Sequence, residues 1–287
     1  MKTFLLTFIA MLAFAANSIL CRVALLEGYI DAGSFTLIRI LSGATTLLII
    51  TIIYNRSNLV TASFNRKSVL VLSISLLFYA LFFSLAYIEL GTGTGALILF
   101  GVVQLSMLAT YAYKGNRIIG FEWLGIGVAV SGFLILLLPS ATRPDPLSAL
   151  LMALSGVCWA IFTLQGKVSG KPLQSTTQGF VGSALLALLM LPWLLSIETI
   201  SRTGLMLAVC SGIFTSALGY VIWYMALRQL TVLTASIVQL SVPGIALLGG
   251  VILVGEPLSF NIALSTMCIL GGIALVFIAQ QKKRMLN

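Results

Sequence analysis

Two long apolar segments, residues 231–254 and 259–280, follow one another near the C-terminus and constrain the fold more than any other feature. At about 1.5 Å per residue, each is long enough as a helix to cross a hydrocarbon layer about 30 Å thick. The intervening Gly255-Glu256-Pro257 is a stop signal, because glycine favours a helix end and proline cannot continue the hydrogen-bond ladder. The pair predicts a packed hairpin of membrane helices.

The composition extends this prediction to the whole chain. Of 287 residues, 60% are apolar and 8% are charged, whereas a soluble domain carries about 25% charged residues. The net charge of +9 comes from basic residues spread over short loops, unlike the clustered patch that binds nucleic acid. We therefore expect an all-α integral membrane protein, with the lipid bilayer as its surroundings and no nucleic-acid partner.

The apolar pattern predicts ten transmembrane helices in two five-helix halves. Residues 1–140 form the first half, residues 146–287 form the second, and a proline-rich run at 139–146 separates them. The first span also resembles a cleaved signal peptide. We expect it to stay as a helix, because it has an internal counterpart in the second half. The predicted spans are residues 3–25, 33–54, 68–88, 93–113, 120–138, 147–166, 177–196, 204–226, 231–254 and 259–280.

The two halves also resemble each other in sequence. A window that begins at residue 86 aligns without a gap to the chain 140 residues later, with eight identities in 52 positions. The alignment pairs Gly115 with Gly255, before a loop, and Gly132 with Gly272, late in a helix. Such matches favour an internal duplication. Because five helices per copy is an odd number, the second copy is expected to be inverted in the membrane.

The basic residues predict the orientation. With the N-terminus inside the cell, twelve of the sixteen basic residues lie on the cytoplasmic side, which is the side where such residues accumulate. We therefore predict a multi-pass protein of a bacterial-type inner (plasma) membrane, with both termini cytoplasmic. The twelve residues are Lys2, Arg56, Arg66, Lys67, Lys114, Arg117, Lys167, Lys171, Arg228, Lys282, Lys283 and Arg284.

A family resemblance rests on six residues: Pro243, Gly255, Glu256, Gly272, Trp159 and Arg39. In their spacing and local sequence they resemble the marks of the EamA family in the drug/metabolite transporter superfamily. The resemblance implies ten membrane helices, two inverted five-helix repeats and export of small metabolites such as amino acids or related compounds. The first half departs from the family pattern at Phe14, Val103 and Asn116.

An inverted repeat of this kind has its binding site near the membrane midplane, between the halves. Amide groups at that depth can hydrogen-bond a solute without a buried counter-ion, and aromatic faces stack on flat or apolar groups. The same residue types also join membrane helices or lie at the interface, and for Thr163, Tyr220, Trp223 and Tyr224 we favour that interpretation. The substrate-binding candidates are Asn17, Tyr79, Gln104, Trp159 and Gln239.

Arg22 and Arg39 are the basic residues inside the predicted spans. A charge there costs at least about 2.5 kcal/mol. One interpretation, which the nearby loop acids favour, pairs the two arginines with Glu27, Asp31 or Glu89. The other assigns them an anion-binding or gating role, in which Arg39 attracts a group such as a carboxylate.

The residues favour a carrier over the other functional classes. The chain has no histidine and no carboxylate near mid-span, so it lacks the acid/base pair or metal ligands of a membrane enzyme, and we expect no cofactor or metal. The four cysteines show no pairing motif. A channel is less favoured because the halves differ at the positions that would line a symmetric pore. A membrane scaffold without transport would not need two inverted copies.

Energy coupling is a separate prediction. All seven carboxylates fall in loops or at helix ends, and a site without a titratable group has no differential proton affinity with which a gradient can act. We therefore expect facilitated diffusion or exchange. The alternative is a proton-coupled drug/metabolite antiporter, for which Glu89, beside the start of the fourth helix, is the coupling candidate.

Overall fold

The computed structural model describes residues 2–54, 66–113, 120–137, 144–169, 171–196, 200–230 and 238–286, and these contain helices but no β-strand. The main helices are α1 (Lys2–Leu26), α2 (Ala32–Tyr54), α3 (Arg66–Ala86), α4 (Thr92–Tyr113), α5 (Phe121–Leu137), α6 (Pro146–Ser169), α7 (Pro172–Leu189), α8 (Arg202–Leu227), α9 (Ser241–Val254) and α10 (Phe260–Leu286). A single helical turn, Leu191–Leu194, follows α7.

Six of these helices (α1, α2, α3, α4, α6 and α8) are long and apolar enough to cross a membrane. The apolar parts of α5, α9 and α10 are shorter, at 10–17 residues. Each predicted span overlaps one of the helices, although the ends differ by several residues, and residues 231–237 of the span 231–254 lie outside the described residues. The helix α7, for example, begins at Pro172 rather than at residue 177, because proline is well suited to a first helical turn.

The stop signal after α9 acts as predicted. The helix ends at Val254, and Gly255 adopts a left-handed conformation with φ of 74°. Glycine takes up that conformation without the steric cost that a side chain would impose. The chain therefore turns sharply here, and the turn places Glu256 back over the N-terminal end of α4.

The first five helices interleave with the last five. Helix α5 packs on α10, α3 on α6 and α7, α4 on α6 and α9, and α1 on α8 and α9. Most of these pairings have a counterpart when each helix is exchanged for the helix at the same place in the other set of five. The exchange turns α3–α6 into α8–α1, and α4–α6 into α9–α1, and both of these contacts are present. The helices of both halves therefore share one core, with α1, α2, α3, α6 and α8 around its centre.

Helices α2 and α8 approach each other closely at two glycines. A Cβ atom on Gly212 would meet the side chain of Ser42 and the carbonyl oxygen of Arg39. One on Gly43 would meet the carbonyl oxygen of Gly212, as well as the ring of Phe180 on α7. Small residues permit such contact between membrane helices. The middle of α8, Ser211–Leu218, is also a π-helix, which shifts the side chains that follow relative to a regular α-helix.

Candidate functional site

The guanidinium group of Arg39 lies at the centre of the bundle and is 1% exposed. Its Nε donates to Ser216 Oγ at 2.9 Å, and its Nη2 donates to Tyr220 Oη at 2.8 Å and to Tyr79 Oη at 3.2 Å. Its Cζ also lies 5.3 Å and 5.1 Å from the ring centroids of Tyr79 and Phe83, within the range of a cation–π interaction. Uncharged groups therefore surround this charge.

Two nitrogen donors, on side chains that both contact Tyr79 and Tyr220, have no hydrogen-bond partner among the described residues. They are Arg39 Nη1 and the indole Nε1 of Trp159, and both side chains are almost fully buried. Neither nitrogen can accept a hydrogen bond. A buried donor without a partner carries a penalty of about 1–3 kcal/mol, more for a charged group. The described residues therefore leave these two donors without an acceptor.

Asn17 connects this region to α8 and α3. Its Oδ1 accepts hydrogen bonds from Ser211 Oγ at 2.7 Å and Thr215 Oγ1 at 3.1 Å, both in the π-helical part of α8. Its Nδ2 donates to Tyr79 Oη at 3.4 Å. The amide oxygen thus already accepts two hydrogen bonds, so it does not serve as the acceptor for Arg39 Nη1 or Trp159 Nε1. We refer to Asn17, Arg39, Tyr79, Trp159 and Tyr220 as the Arg39 cluster.

Aromatic rings pack around the indole of Trp159. Its ring centroid lies 4.6 Å from that of Tyr220, 5.0 Å from Tyr79 and 5.6 Å from both Phe14 and Phe162. The rings leave a cavity of about 10 Å³, room for one water molecule. The site is therefore closed in this conformation. The cavity is lined by Phe14, Asn17, Ser18, Tyr79, Phe83, Leu99, Phe100 and Trp159.

The structure brings together three of the five predicted binding residues, namely Asn17, Tyr79 and Trp159, and adds Arg39. Gln104 is buried elsewhere, at a small gap between α4, α5 and α10. Gln239 is buried just before α9, and its Oε1 has no hydrogen-bond partner among the described residues.

Arg22 is held by a different set of groups. Its Nε lies 3.4 Å from Glu256 Oε1, and its Nη1 donates to the carbonyl oxygens of Tyr87 at 3.0 Å and Ile88 at 2.7 Å. The predicted pairing of the arginines with nearby loop acids is therefore wrong. The reason is that the turn after α9, distant in sequence, folds over α1, whereas hydroxyl groups bind Arg39.

Glu256 also caps α4. Its two carboxylate oxygens each lie 2.8 Å from the backbone nitrogen of Thr92, and Thr92 Oγ1 donates to Oε1 at 3.0 Å. The first amides of a helix lack intrahelical partners, and the helix dipole favours a negative charge there. The pair Arg22–Glu256 thus fastens α1, α4 and the α9–α10 turn to one another.

The aromatic residues of α8 are buried. Tyr220, Trp223 and Tyr224 are each at most 3% exposed, which agrees with the expectation that residues of this type join membrane helices. Tyr224 Oη donates to the carbonyl oxygen of Phe162 at 3.0 Å. These side chains lie in helix–helix contacts because their face of α8 packs inside the bundle. The distance of a residue from the end of its span does not reveal this.

Three residues of the site escaped the sequence analysis: Ser211, Thr215 and Ser216. Their hydroxyl groups bind Asn17 or Arg39. The signal that could have found them is a run of hydroxyl residues in an otherwise apolar helix. In a regular α-helix, Ser211 and Ser216 are about 140° apart, so the run has no clear face until the π-helical turn aligns it.

A second, larger cleft of about 240 Å³ lies where the end of α6, the start of α7 and the end of α8 meet. Its described lining includes three basic side chains, Lys167, Lys171 and Arg228, and no acidic one. Tyr224 lines this cleft and also contacts Phe162, which packs on Trp159. The Phe162–Tyr224 ring pair therefore stands between the basic cleft and the Arg39 cluster.

None of the acids in the described residues pairs with Arg39. Glu89 is exposed in the turn between α3 and α4, whereas Glu122 is fully buried in the first turn of α5. Across the same residues, no group of three or more His, Cys, Asp or Glu side chains is placed to hold a metal ion. The four cysteines are free.

Comparisons with known proteins agree with this picture. The profile of the EamA-like transporter family matches residues 146–278. The uncharacterized protein PA1977 of Pseudomonas aeruginosa is 42% identical over 275 residues, which cover 96% of this chain and 94% of that protein. A solved crystal structure superposes with a TM-score of 0.71 over 97% of this chain and 98% of its own, at 16% identity, and this supports the fold.

More distant relatives include named transporters. The threonine/homoserine exporter RhtA of Escherichia coli K12 is 28% identical over 155 residues, which span 53% of this chain and 52% of that protein. An uncharacterized transporter of Archaeoglobus fulgidus is 26% identical over 203 residues, or 69% of this chain and 72% of the relative. With its apolar helices, this multi-pass membrane protein is a transporter that belongs to the EamA-like transporter family.

Proposed function

We propose that the chain is a carrier that moves small metabolites across a bacterial inner membrane by alternating access, with substrate bound at the Arg39 cluster. The observation that carries the proposal is a buried, positively charged group between helices of both halves, with hydrogen-bond donors that lack partners. An ionisable residue inside a membrane bundle is costly and is typically functional. Its position between the halves suits alternating access, in which one half rocks against the other.

The halves, residues 1–140 and 146–287, are proposed to be inverted repeats with both termini cytoplasmic. The exchange of helix contacts between α1–α5 and α6–α10 supports this. A background lacking the four native cysteines allows a test. Single cysteines at Asp31 or Ala141 should react with an impermeant maleimide from outside, and those at Ser63 or Ser169 only after the membrane is opened. Reaction of Ser63→Cys in intact cells would contradict the proposal.

Export of amino acids or related compounds is the substrate class suggested by the relatives, since RhtA is named a threonine/homoserine exporter. The decisive experiment is counterflow in proteoliposomes loaded with a panel of amino acids, organic acids, nucleosides, sugars and amphipathic drugs. We expect labelled substrate to accumulate transiently against an excess of the same compound inside. A protein that is folded, correctly inserted and inactive for every class would contradict a carrier.

The proposed mode is facilitated diffusion or exchange. It is supported by the absence of a carboxylate at Arg39 among the described residues and by the exposure of Glu89. Uphill accumulation under a pH gradient, with the membrane potential clamped, tests this. If the wild type concentrates substrate and Glu89→Gln does not, the carrier is instead a proton-coupled antiporter with Glu89 as the coupling residue.

A further inference from the structure

We infer that the Arg39 cluster selects a small organic anion, a single carboxylate on an apolar or aromatic body without an ammonium group beside it. This inference rests on the proposed function in taking the cluster as the substrate site. It differs from the amino-acid class suggested by the relatives, and it follows from the hydrogen-bond inventory and the charge of the cluster.

The hydrogen-bond inventory identifies the missing group as an acceptor. Arg39 uses Nε and Nη2 on hydroxyl oxygens, while Nη1 and Trp159 Nε1 find no acceptor in the part of the chain that the structure describes. The strongest acceptor near them, Asn17 Oδ1, already binds two hydroxyl groups. A carboxylate offers two oxygens and no donor, so it can accept from Arg39 Nη1 directly. It reaches the bidentate geometry of a guanidinium–carboxylate pair by also replacing Tyr79 or Tyr220 at Nη2.

The charge of the cluster distinguishes an anion from an amino acid. Arg39 is buried with no acid beside it among the described residues, and an isolated charge in a medium of low dielectric constant is strongly disfavoured. A monoanion would neutralise the site. A zwitterion would also bring an ammonium group, whose positive charge would remain near that of Arg39. The monoanion therefore gains more from the site.

The remaining walls of the cavity are suited to an apolar body. Phe14, Phe83, Leu99 and Phe100 line the cavity beside the polar edge formed by Tyr79 and Trp159. Flat or apolar groups gain contact area and ring stacking in such surroundings. The cavity holds only about 10 Å³ and is not lined by Arg39, which donates to Tyr79 at its wall. A ligand therefore reaches Arg39 only if the rings separate.

The basic cleft is an independent observation that also points to an anion. Lys167, Lys171 and Arg228 line it together with Tyr224, and Tyr224 contacts Phe162, which packs on Trp159. A concave surface of one sign concentrates solutes of the opposite sign and accelerates their entry. A solute that passes from the basic cleft to the Arg39 cluster thus meets positive charge first in the cleft and then in the cluster.

A matched set of ligands tests the inference on the purified full-length protein in detergent. The four probes share one ring: 3-phenylpropionate, its uncharged amide, phenylalanine and phenethylamine. We expect 3-phenylpropionate to raise the midpoint of thermal unfolding by several degrees at saturation, as ligand linkage predicts for a site of this kind. The other three should bind at least tenfold more weakly. Equal stabilisation by the acid and its amide would overturn the inference.

Variants of the chain sharpen the test. Arg39→Lys keeps the positive charge but loses the planar guanidinium group, so the affinity for 3-phenylpropionate should fall at least tenfold. The control is Thr45→Ala, at an exposed position of α2, which should leave the affinity unchanged. If the Arg39 variant does not fold, the ligand set alone decides. Preferential binding of phenylalanine, or counterflow of amino acids without organic acids, would overturn the inference while leaving the proposed carrier intact.

Discussion

Arg22 and Arg39 are two arginines in neighbouring membrane helices, and the protein accommodates them in opposite ways. Arg22 faces a carboxylate, Glu256, and two backbone carbonyl oxygens. Arg39 is more deeply buried, and three hydroxyl groups bind it while one of its nitrogens has no partner among the described residues. The first charge is neutralised within the fold. The second is hydrogen-bonded but not neutralised.

The difference shows how to separate structural from functional charges in a membrane protein. A paired charge stabilises the folded protein only as long as both partners remain, because removal of one leaves the other buried without compensation. The charge of Arg39 is held by hydroxyl groups and aromatic rings, but no acid among the described residues neutralises it, which is consistent with a role beyond folding. On this basis we assign Arg22 to the structure and propose that Arg39 binds an anion.

The largest expected effect follows from Arg39→Gln. Glutamine keeps hydrogen-bonding capacity but removes the charge, so transport of the preferred substrate should fall by roughly 100-fold, in line with the loss of a charged hydrogen bond in a buried site. The thermal midpoint of unfolding should stay unchanged or rise, because an unneutralised charge is removed. Counterflow and thermal unfolding on the same preparation measure both quantities. A fall in both would make Arg39 structural.

Glu256→Ala is the opposite case and should mainly lower stability. It leaves Arg22 without its carboxylate and the Thr92 amide without its cap, a loss of roughly 3 kcal/mol. The matched control is Glu89→Ala, since Glu89 is an exposed acid in a turn that also precedes α4. Adding Arg22→Met should recover part of the loss. The prediction fails if both single variants unfold at the same denaturant concentration.

Gly212→Ala should disturb the surroundings of Arg39 through a change in helix packing. The added Cβ would meet Ser42 and the backbone of Arg39, and overpacking of this kind typically costs about 1–3 kcal/mol. Because the clash pushes α8 away from α2, the contact of Ser216 with Arg39 should weaken and substrate affinity should fall. Gly127→Ala is the control, since a Cβ there meets nothing within 4 Å. Equal thermal midpoints for the two variants would contradict the expectation.

The smallest expected effect concerns Gln104. It is a buried amide like Asn17, but it lies at the contact of α4, α5 and α10 rather than in the Arg39 cluster. Gln104→Ala should therefore change the transport rate by less than about twofold, within the range of ordinary packing changes, whereas Asn17→Ala should abolish most transport. Initial rates of counterflow, normalised to folded protein, compare the two. A large loss in Gln104→Ala would extend the substrate site toward α5.

The sequence by itself determined the class of protein and the positions of its helices. Apolar runs, the scarcity of charge and the stop at Gly255 are local properties, and a bilayer leaves a helix as the main way to satisfy the backbone of such a run. Arg39 and Trp159 could also be identified from the sequence as unusual residues. A charged side chain inside an apolar segment is energetically costly, and tryptophan is a large aromatic side chain, whatever their neighbours in the fold.

The contacts between side chains that are distant in the sequence could not be predicted without the tertiary structure. The partner of Arg22 proved to be Glu256, 234 residues away, and sequence distance carries no information about such a contact. Ser216 and Tyr220 reach Arg39 because close packing at Gly212 and a π-helical turn in α8 orient them together. Hydrogen bonds are short and directional, so the choice between a paired and an unneutralised charge depends on how the helices pack.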